Sequence, residues 1–445
     1  MKNYETYKDS GVQWVGMIPS HWTAKKMKYA CQITDGTHFS PPTTEFGMPY
    51  ITVSNVRNDI IDIENANRIS VEDYETLVKQ GCQPQLGDVL LAKDGTVGRT
   101  AIVTNTNEYV VLSSLGILHP EDNLLSSFLK YSLDSLYLQE QMNAAMAGSA
   151  LRRITISKIN EFLILVPPIK EQSAISAYLD CKIGKIDAAI TEKEQMLEDL
   201  KAYRSSIISE TVTKGLDKNV EMKDSGIEWL GMIPQKWGLV KLKNKAKVNG
   251  RIGFRGYTTA DLVQAGEGAY TIGGKHITNC VLDLSNPEYI SWDKYYESPE
   301  IMVHKGDILM AQRGSLGKTA LVREDIGPAT INPSLVLLNS IEMSEVFLYY
   351  YLISNTCLAY IDLLNTATAV PMISQNQIEN IYIPIPSHEE QAEIASFLDE
   401  KTTEINNSIS LVSSQIVDLK AYKSAIITEA VTGKFDLRDW IPNKK

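Results

Sequence analysis

Gly314–Ser315–Leu316–Gly317–Lys318–Thr319 is the stretch of this 445-residue chain that most resembles a piece of chemistry. A phosphate-cradling loop of the GxxxxGK[ST] type needs its first glycine at position 312, which is Gln312. The stretch also runs into the strand-like Ala320–Leu321–Val322 instead of a helix whose N-terminus holds phosphate, and the corresponding earlier stretch has Arg99 in place of the lysine. Nucleotide hydrolysis is therefore set aside. Both copies, Lys93–Asp94–Gly95–Thr96–Val97–Gly98–Arg99 and Gln312–Arg313–Gly314–Ser315–Leu316–Gly317–Lys318, read as glycine-bearing hairpins with a base at the tip. Such a tip is either a phosphate contact or a solvated turn. His38, three residues after Asp35, permits acid–base chemistry, but a lone histidine in a loop with Pro41–Pro42 is more often a hydrogen-bonding or DNA-contacting group. GxGxxG, HExxH, GxSxG and the Asn/Asp-Pro-Pro-Tyr/Phe stretch of adenine methyltransferases are absent, and Asn332–Pro333–Ser334–Leu335 is no match. The expectation is a chain without catalytic residues, cofactor or metal of its own.

The formal net charge of −11 argues against nonspecific polyanion binding but leaves room for a local basic face. The bases do cluster, at Lys25–Lys26 with Lys28, at Arg152–Arg153, and at Lys241, Lys243, Lys245 and Lys247 leading to Arg251 and Arg255. The alternate lysines are expected on one face of a strand. The five cysteines lie far apart, with no CxxC or Cys/His pair at zinc spacing. The first 20 residues hold no apolar segment, and no run of about 18 apolar residues occurs, so neither signal peptide nor membrane span is expected and a reducing cytoplasm fits best.

Two long helices must position these groups. In the second, Ile405, Ile409, Val412, Ile416, Leu419 and Ile426 fall at alternating spacings of four and three apart from Lys423, a heptad seam. The first carries Leu179, Ile183, Ile186, Ile190, Leu197, Leu200 and Ile207 in the same frame, interrupted by Lys193 and Arg204. Ser387 with Glu390 has capping-box spacing, the first helix starts at Pro167–Pro168, and Gly215 and Gly433 are stop signals. Each helix is about 45 residues, on the order of 65 Å. Periodicity alone leaves three uses open: a spacer, an antiparallel hairpin core, or a dimerisation coil.

Self-comparison shows a tandem duplication. Lys8–Asp9–Ser10–Gly11–Val12–Gln13–Trp14–Val15–Gly16–Met17–Ile18–Pro19 recurs 215 residues later from Lys223 to Pro234, and Trp22 recurs as Trp237. Gly87–Asp88–Val89–Leu90 recurs 219 residues later as Gly306–Asp307–Ile308–Leu309, as do Glu171–Gln172 (Glu390–Gln391) and Leu200–Lys201–Ala202–Tyr203 (Leu419–Lys420–Ala421–Tyr422). The loops between diverge: Ile33–Thr34–Asp35–Gly36–Thr37–His38 faces Val248–Asn249–Gly250–Arg251–Ile252–Gly253. Within each half, short β-rich runs (50–53, 89–91, 101–103, 110–112; 269–272, 308–310, 320–322) mix with amphipathic helices expected at 124–145 and 345–364, an α+β pattern.

On the Asp-Ser-Gly-Val/Ile-x-Trp-x-Gly-x-Ile-Pro-x-x-Trp lead-ins, Asp35–Gly36–Thr37–His38, the Gly-Asp-Val/Ile-Leu turns, Gly148–Ser149, Pro167–Pro168–Ile169–Lys170–Glu171–Gln172 and Leu200–Lys201–Ala202–Tyr203, the chain resembles the specificity (S) subunits of Type I restriction–modification systems over nearly its whole length. The resemblance implies two target-recognition domains that each read half of a bipartite double-stranded DNA site. It also implies two antiparallel helices that fix the spacing and dock two methyltransferase (M) subunits carrying S-adenosylmethionine, and, where one accompanies them, a motor–nuclease (R) subunit. The second half departs from the pattern at 250–257 and at Thr366–Ala367–Thr368.

The expected organisation is a lead-in and first domain at 1–165, a spacer helix at 166–215, a second lead-in and domain at 216–384, a second spacer helix at 385–433 and a tail at 434–445. The helices are expected to be antiparallel and to form a coiled coil, and the whole is α+β. The DNA-contacting candidates are Lys25, Lys26, Asp35, Gly36, Thr37, His38, Ser54, Asn55, Arg57, Lys93, Arg99, Arg152 and Arg153 in the first domain. In the second they are Arg251, Arg255, Tyr257, Lys275, His276, Arg313 and Lys318. Arginines suit guanine and Asn55 suits adenine. A self-sufficient DNA-modifying enzyme and a tandem protein-interaction scaffold are the alternatives, separated from this reading by activity of the lone chain and by loss of DNA binding.

Overall fold

The computed structural model describes residues 2–11, 15–57, 59–105, 108–146, 152–251, 256–365 and 370–441. The chain forms two compact units: Met1–Glu194 with Ser414–Lys445, and Gln195–Ser413. The expected boundaries treated the helices and the tail as separate elements; by contacts, each unit takes half of each long helix, and the tail belongs to the first unit.

In the first unit an antiparallel sheet has the order Thr100–Ile102, Val89–Ala92, Leu115–Pro120, Cys31–Asp35. A smaller sheet orders Val110–Val111, Met48–Ile51 and Asn67–Ile69, and Thr23–Lys26 pairs with Leu163–Val166. The second unit repeats the main sheet as Lys247–Gly250, Leu335–Asn339, Ile308–Ala311, Thr319–Leu321, and pairs Gly238–Lys241 with Tyr382–Ile385. The main strands Val89–Ala92 and Ile308–Ala311 are buried throughout, so they read as continuous apolar runs without alternation. The repeated Gly-Asp is a turn device: Gly87 and Gly306 have φ of 90° and 91°, and Asp88 and Asp307 accept from the amides of Gln85 and His304.

Two expectations are corrected. The helices expected at 124–145 and 345–364 are each broken, into Ser126–Asp134 and Leu136–Met146 and into Glu345–Leu352 and Asn355–Leu364. The serines cause it: Ser354 accepts from the Cys357 amide as a new N-cap, and Ser135 turns its hydroxyl back to the Ser132 carbonyl. The alternate lysines do not share a strand, because Leu242–Asn244 forms a 3-10 turn between Gly238–Lys241 and Lys247–Gly250.

The long helices are Ile169–Lys214 and His388–Val431. Ser387 caps the second through the Glu390 amide at 3.2 Å, and Gly215 and Gly433 end them with φ of 78° and 71°. Within the first unit the helices run antiparallel: Asp187 meets Lys423 at 2.7 Å, and Lys193 donates to Gln415 at 2.7 Å. Within the second, Arg204 donates to Asn406 at 2.6 Å. The polar residues that interrupt the heptad seam are thus bonded across it, while Ile183, Ile186, Ile190, Ile405, Val412, Ile416 and Ile426 are buried. No single helix among the described residues is long and apolar enough to cross a membrane.

The lead-ins fasten this frame. Asp9 and Asp224 accept from the Gly11 and Gly226 amides, closing hairpins that deliver buried Trp22 and Trp237 to the helix starts. Gln172 accepts from the Leu125 amide and Gln391 from the Ser344 amide, so each helix start also holds the loop before the next domain helix.

Candidate nucleic-acid interface

In the first unit the glycine hairpin, the Asp35–His38 loop and the segment after 151 meet at one end of the main sheet. Asp35 is 3.1 Å from His38 and 3.2 Å from Lys93; Lys93 is 3.9 Å from Asp94, which is 3.2 Å from Arg153. The Gly95 amide donates to the Arg152 carbonyl at 3.1 Å. Gly36 is required here, since a Cβ would lie 2.3 Å from the Leu112 carbonyl oxygen. Ser114 joins the 53–55 turn to this cluster: its carbonyl accepts from the Lys93 amide and its hydroxyl from the Val53 amide. His38, Ser54, Arg152 and Arg153 are exposed, and so is Phe39, an aromatic beside His38 that sequence reasoning missed.

Some candidates face inward. Lys93 is 1% exposed and serves as the buried cation of the cluster. Asn55 is buried with its oxygen accepting from the Thr52 amide at 3.0 Å, so it holds a turn where it was expected to read adenine. Thr37 is buried and caps its own loop through Phe39. Lys26 is paired with Glu161, as is Lys28 at 2.7 Å, and Lys25 lies half-buried on the same strand. Arg57 and Arg99 are exposed but line a different cavity of the first unit, about 960 Å³, between the domain and its helix pair. There Lys130 is held by Asp59 at 2.6 Å and by Asp134 at 3.0 Å. Burial pushes the Asp134 carboxyl up, against the pull of Lys130.

The corresponding end of the second unit is built from Gly250, Gln312, Arg313 and Met372, which take the sheet and bridge positions of Asp35, Lys93, Asp94 and Arg153. The ion cluster is gone. In its place lies a cavity of about 650 Å³ lined by Arg251, Gln312, Arg313, Met372, Gln375 and Asn376. A Cβ at position 250 would meet the Gln375 amide at 2.3 Å, so the glycine admits that side chain. Gln375 and Asn376 were missed by sequence reasoning; the signal is the Ser374 cap, which starts a helix pointing at the cavity. Arg251 is buried, donating to the Ile331 carbonyl and the Thr330 hydroxyl and lying over Tyr257, whose own hydroxyl meets Thr271 at 3.0 Å. Burial pulls its guanidinium below the ordinary value. His276 is buried and accepts from the Gly273 amide, whereas Lys275, paired with Glu288, and Arg313 and Lys318 are exposed. Arg255, Ile252–Gly253, Gly148–Ser149, Thr366–Ala367–Thr368 and Val12–Gln13–Trp14 lie outside the described residues. Among the described residues, no group of three or more His, Cys, Asp or Glu side chains is placed to hold a metal ion.

Thus two like frames end in unlike surfaces, one charged and one rich in side-chain amides. Both offer exposed cations and hydrogen-bonding groups suited to phosphates and base edges.

The sequence model of the family described as Type I restriction modification DNA specificity domain matches residues 19–199 and 272–411. The chain is 23% identical over 442 residues to the Type I restriction enzyme EcoBI specificity subunit of Escherichia coli, covering 93% of this chain and 88% of that protein. It is 22% identical over 398 residues to the MjaVIII specificity subunit of Methanocaldococcus jannaschii, covering 88% and 87%. Its fold is similar to a chain solved in a study of complex assembly and conformational transition of the type I R-M system, with a TM-score of 0.71 at 18% identity over 94% of this chain and 99% of that one.

Proposed function

The chain belongs to the family of Type I restriction–modification DNA specificity proteins, and from that premise we propose that it reads an asymmetric, bipartite double-stranded DNA site and brings two methyltransferase subunits to it. The observation that carries this reading is the contrast between the equivalent reading ends. Asp35, Lys93, Asp94 and Arg153 in the first unit stand where Gly250, Gln312, Arg313 and Met372 stand in the second. Equal frames with unequal surfaces suit two different half-sites.

In this reading His38, Ser54, Arg152 and Arg153, and Arg313, Gln375 and Asn376, touch the DNA. Lys93, Asn55, Arg251 and His276 position them. Arg57, Arg99 and Lys318 meet phosphates. The chain itself is non-catalytic and holds no cofactor; S-adenosylmethionine is carried by the methyltransferase partner, a motor–nuclease subunit joins where one accompanies the system, and the assembly works in the cytoplasm without a membrane.

The test is co-expression with the cognate methyltransferase subunit, followed by mapping of methylated adenines. A single two-part motif with a fixed gap is the expected result. Methylation or cleavage by the purified chain alone would refute it.

A further inference from the structure

Tyr203, Ile207, Met222, Met232 and Phe397 are apolar members of the lining of a groove of about 750 Å³ in the second unit, which also carries Glu210, Lys214, Asp217 and Lys218. Its outer residues are presented to solvent in both units: Met17 and Met232 are 49% and 48% exposed, and Tyr422 and Tyr203 are 54% and 56% exposed. The same apolar side chains are exposed in both halves, while the surfaces between them diverged.

The two grooves are not in the same state. Phe397 corresponds to Tyr178 of the first unit, 219 residues earlier. Tyr178 is wholly buried, with Trp440 packed edge-on against it at 5.5 Å and 87°. That this is the same place in the fold follows from the repeat, which sets Tyr178, Tyr422 and Glu429 at the positions of Phe397, Tyr203 and Glu210. The Tyr178 phenol is pushed up to about 12, first by burial and then by Tyr422 and Glu429. These are the counterparts of Tyr203 and Glu210, which line the open groove. Trp440 is held by the tail: the Asp436 amide donates to the Lys2 carbonyl at 2.9 Å, Lys434 reaches the Met17 carbonyl at 3.2 Å, and Leu437 is buried. The segment after Gly215, the counterpart of the tail after Gly433, has no such ring to offer, because it carries no aromatic residue before Trp229. Phe397 is left half-buried.

We propose that the groove of the second unit receives an aromatic side chain from the methyltransferase partner, that Trp440 shields the matching groove of the first unit, and that the two partner copies therefore dock with unequal affinity. This rests on the reading of the chain as a specificity subunit. The occupant's chemistry is taken from the first unit, where an indole fills the same position. A partner copy arriving at the first unit must displace Trp440 or forgo the ring contact, so the second unit fills first.

The experiment is a titration of the full chain with the methyltransferase subunit, followed by native mass spectrometry. Two steps separated by at least about tenfold beyond the statistical factor are expected. Trp440→Ala should strengthen the second step about threefold or more, and Trp440→Phe should keep the separation. Met232→Asp should weaken the first step and Met17→Asp the second; both side chains are at the surface, so folding is spared. Equal steps in the unaltered chain, or a second step unmoved by Trp440→Ala, would overturn the proposal. Self-association of the chain that disappears with Trp440→Ala would overturn it too, by making a second copy the occupant. If a chain shown by circular dichroism to be folded binds no methyltransferase subunit at all, the specificity-subunit reading falls first.

Discussion

The indole of Trp22 donates to Glu171 at 2.7 Å, and its ring also faces Gly433, where a Cβ would stand 3.2 Å from the indole. The start of one long helix and the end of the other therefore meet on one lead-in side chain. The second unit repeats this: Trp237 donates to Glu390 at 2.9 Å and lies 3.3 Å from the Cβ position of Gly215. The lead-in motif is a clamp on the helix ends, which explains why it was kept in both halves.

Glu171 also accepts from Tyr4 and meets His21 at 2.6 Å, whereas Glu390 serves the indole alone among these partners. Glu171→Ala leaves a buried indole N–H unpaired and is expected to cost about 2–3 kcal/mol, with Glu390→Ala costing less. Thermal unfolding of the two variants measures this. An equal loss at both positions would contradict the argument.

Lys93 and Arg153 bracket the same ion cluster but should respond differently to substitution. Lys93→Met removes the buried cation that Asp35 and Asp94 share, leaving them the exposed His38 and Arg153, and should destabilise the first unit by about 2–3 kcal/mol. Arg153→Ala should leave stability within about 0.5 kcal/mol and cost about 1–3 kcal/mol in DNA affinity. Chemical denaturation beside a DNA-binding titration separates the two; a stable, DNA-defective Lys93→Met chain would reverse the assignment.

The caps and the heptad seam were legible in the sequence because each depends on local spacing; the lead-in showed only as a repeat, and its clamp on the helix ends did not, since Trp22 meets Glu171 across 149 residues of chain. Ser387, Gly215, Gly433 and the Ile405–Val412–Ile416 seam all act where their spacing put them. The central strands Leu115–Pro120 and Leu335–Asn339 were missed, since an apolar run that short does not declare itself strand or helix until distant strands pair with it. Arg251 was misjudged for the same reason. Only the fold brings the Ile331 carbonyl, 80 residues away, to its guanidinium. Gln375 stayed invisible because its partner across the cavity is a glycine, which carries no signal of contact.

Glu161 ties Lys28 and Lys26 together, and those hydrogen bonds hold its carboxyl down to about 2, below the unfolded value of about 4.3. A depressed carboxyl stabilises the fold above the unfolded value, and that contribution is lost as pH falls from about 4.3 towards about 2. Glu161→Gln should therefore flatten the acid limb of the melting-temperature profile in that window. It should also free two lysines, so salt dependence of DNA binding becomes steeper if they lie at the interface. A profile identical to that of the unaltered chain would show that the pair contributes nothing.

Replacing residues 23–165 with the matching domain of another specificity subunit should change one half of the methylated motif and leave the other half and the gap intact. The exchanged segment ends short of Glu171 and Gln172, so the clamp on the first long helix is retained. Methylation mapping reads all three features at once, and a change in both halves would defeat the modular reading.

The sharpest prediction concerns the gap between half-sites. If the helix pair sets it, lengthening the pair must widen the gap without altering either half-site. In the first unit Asp187 lies opposite Lys423 and Lys193 opposite Gln415, so an insertion in one helix alone would slide every later pair out of register. Four residues after Ala188 matched by four after Ala421 keep both pairs, add about 6 Å and leave the seam within about 40° of its original face. At about 3.4 Å per base pair this corresponds to one or two more unspecified positions. Two residues at the same points would turn the seam by about 200°, placing polar residues where Ile190 and Ile416 are now buried, and should abolish assembly. If the matched four-residue chain directs methylation to the original gap, the helices hold the units together but do not measure the distance between them.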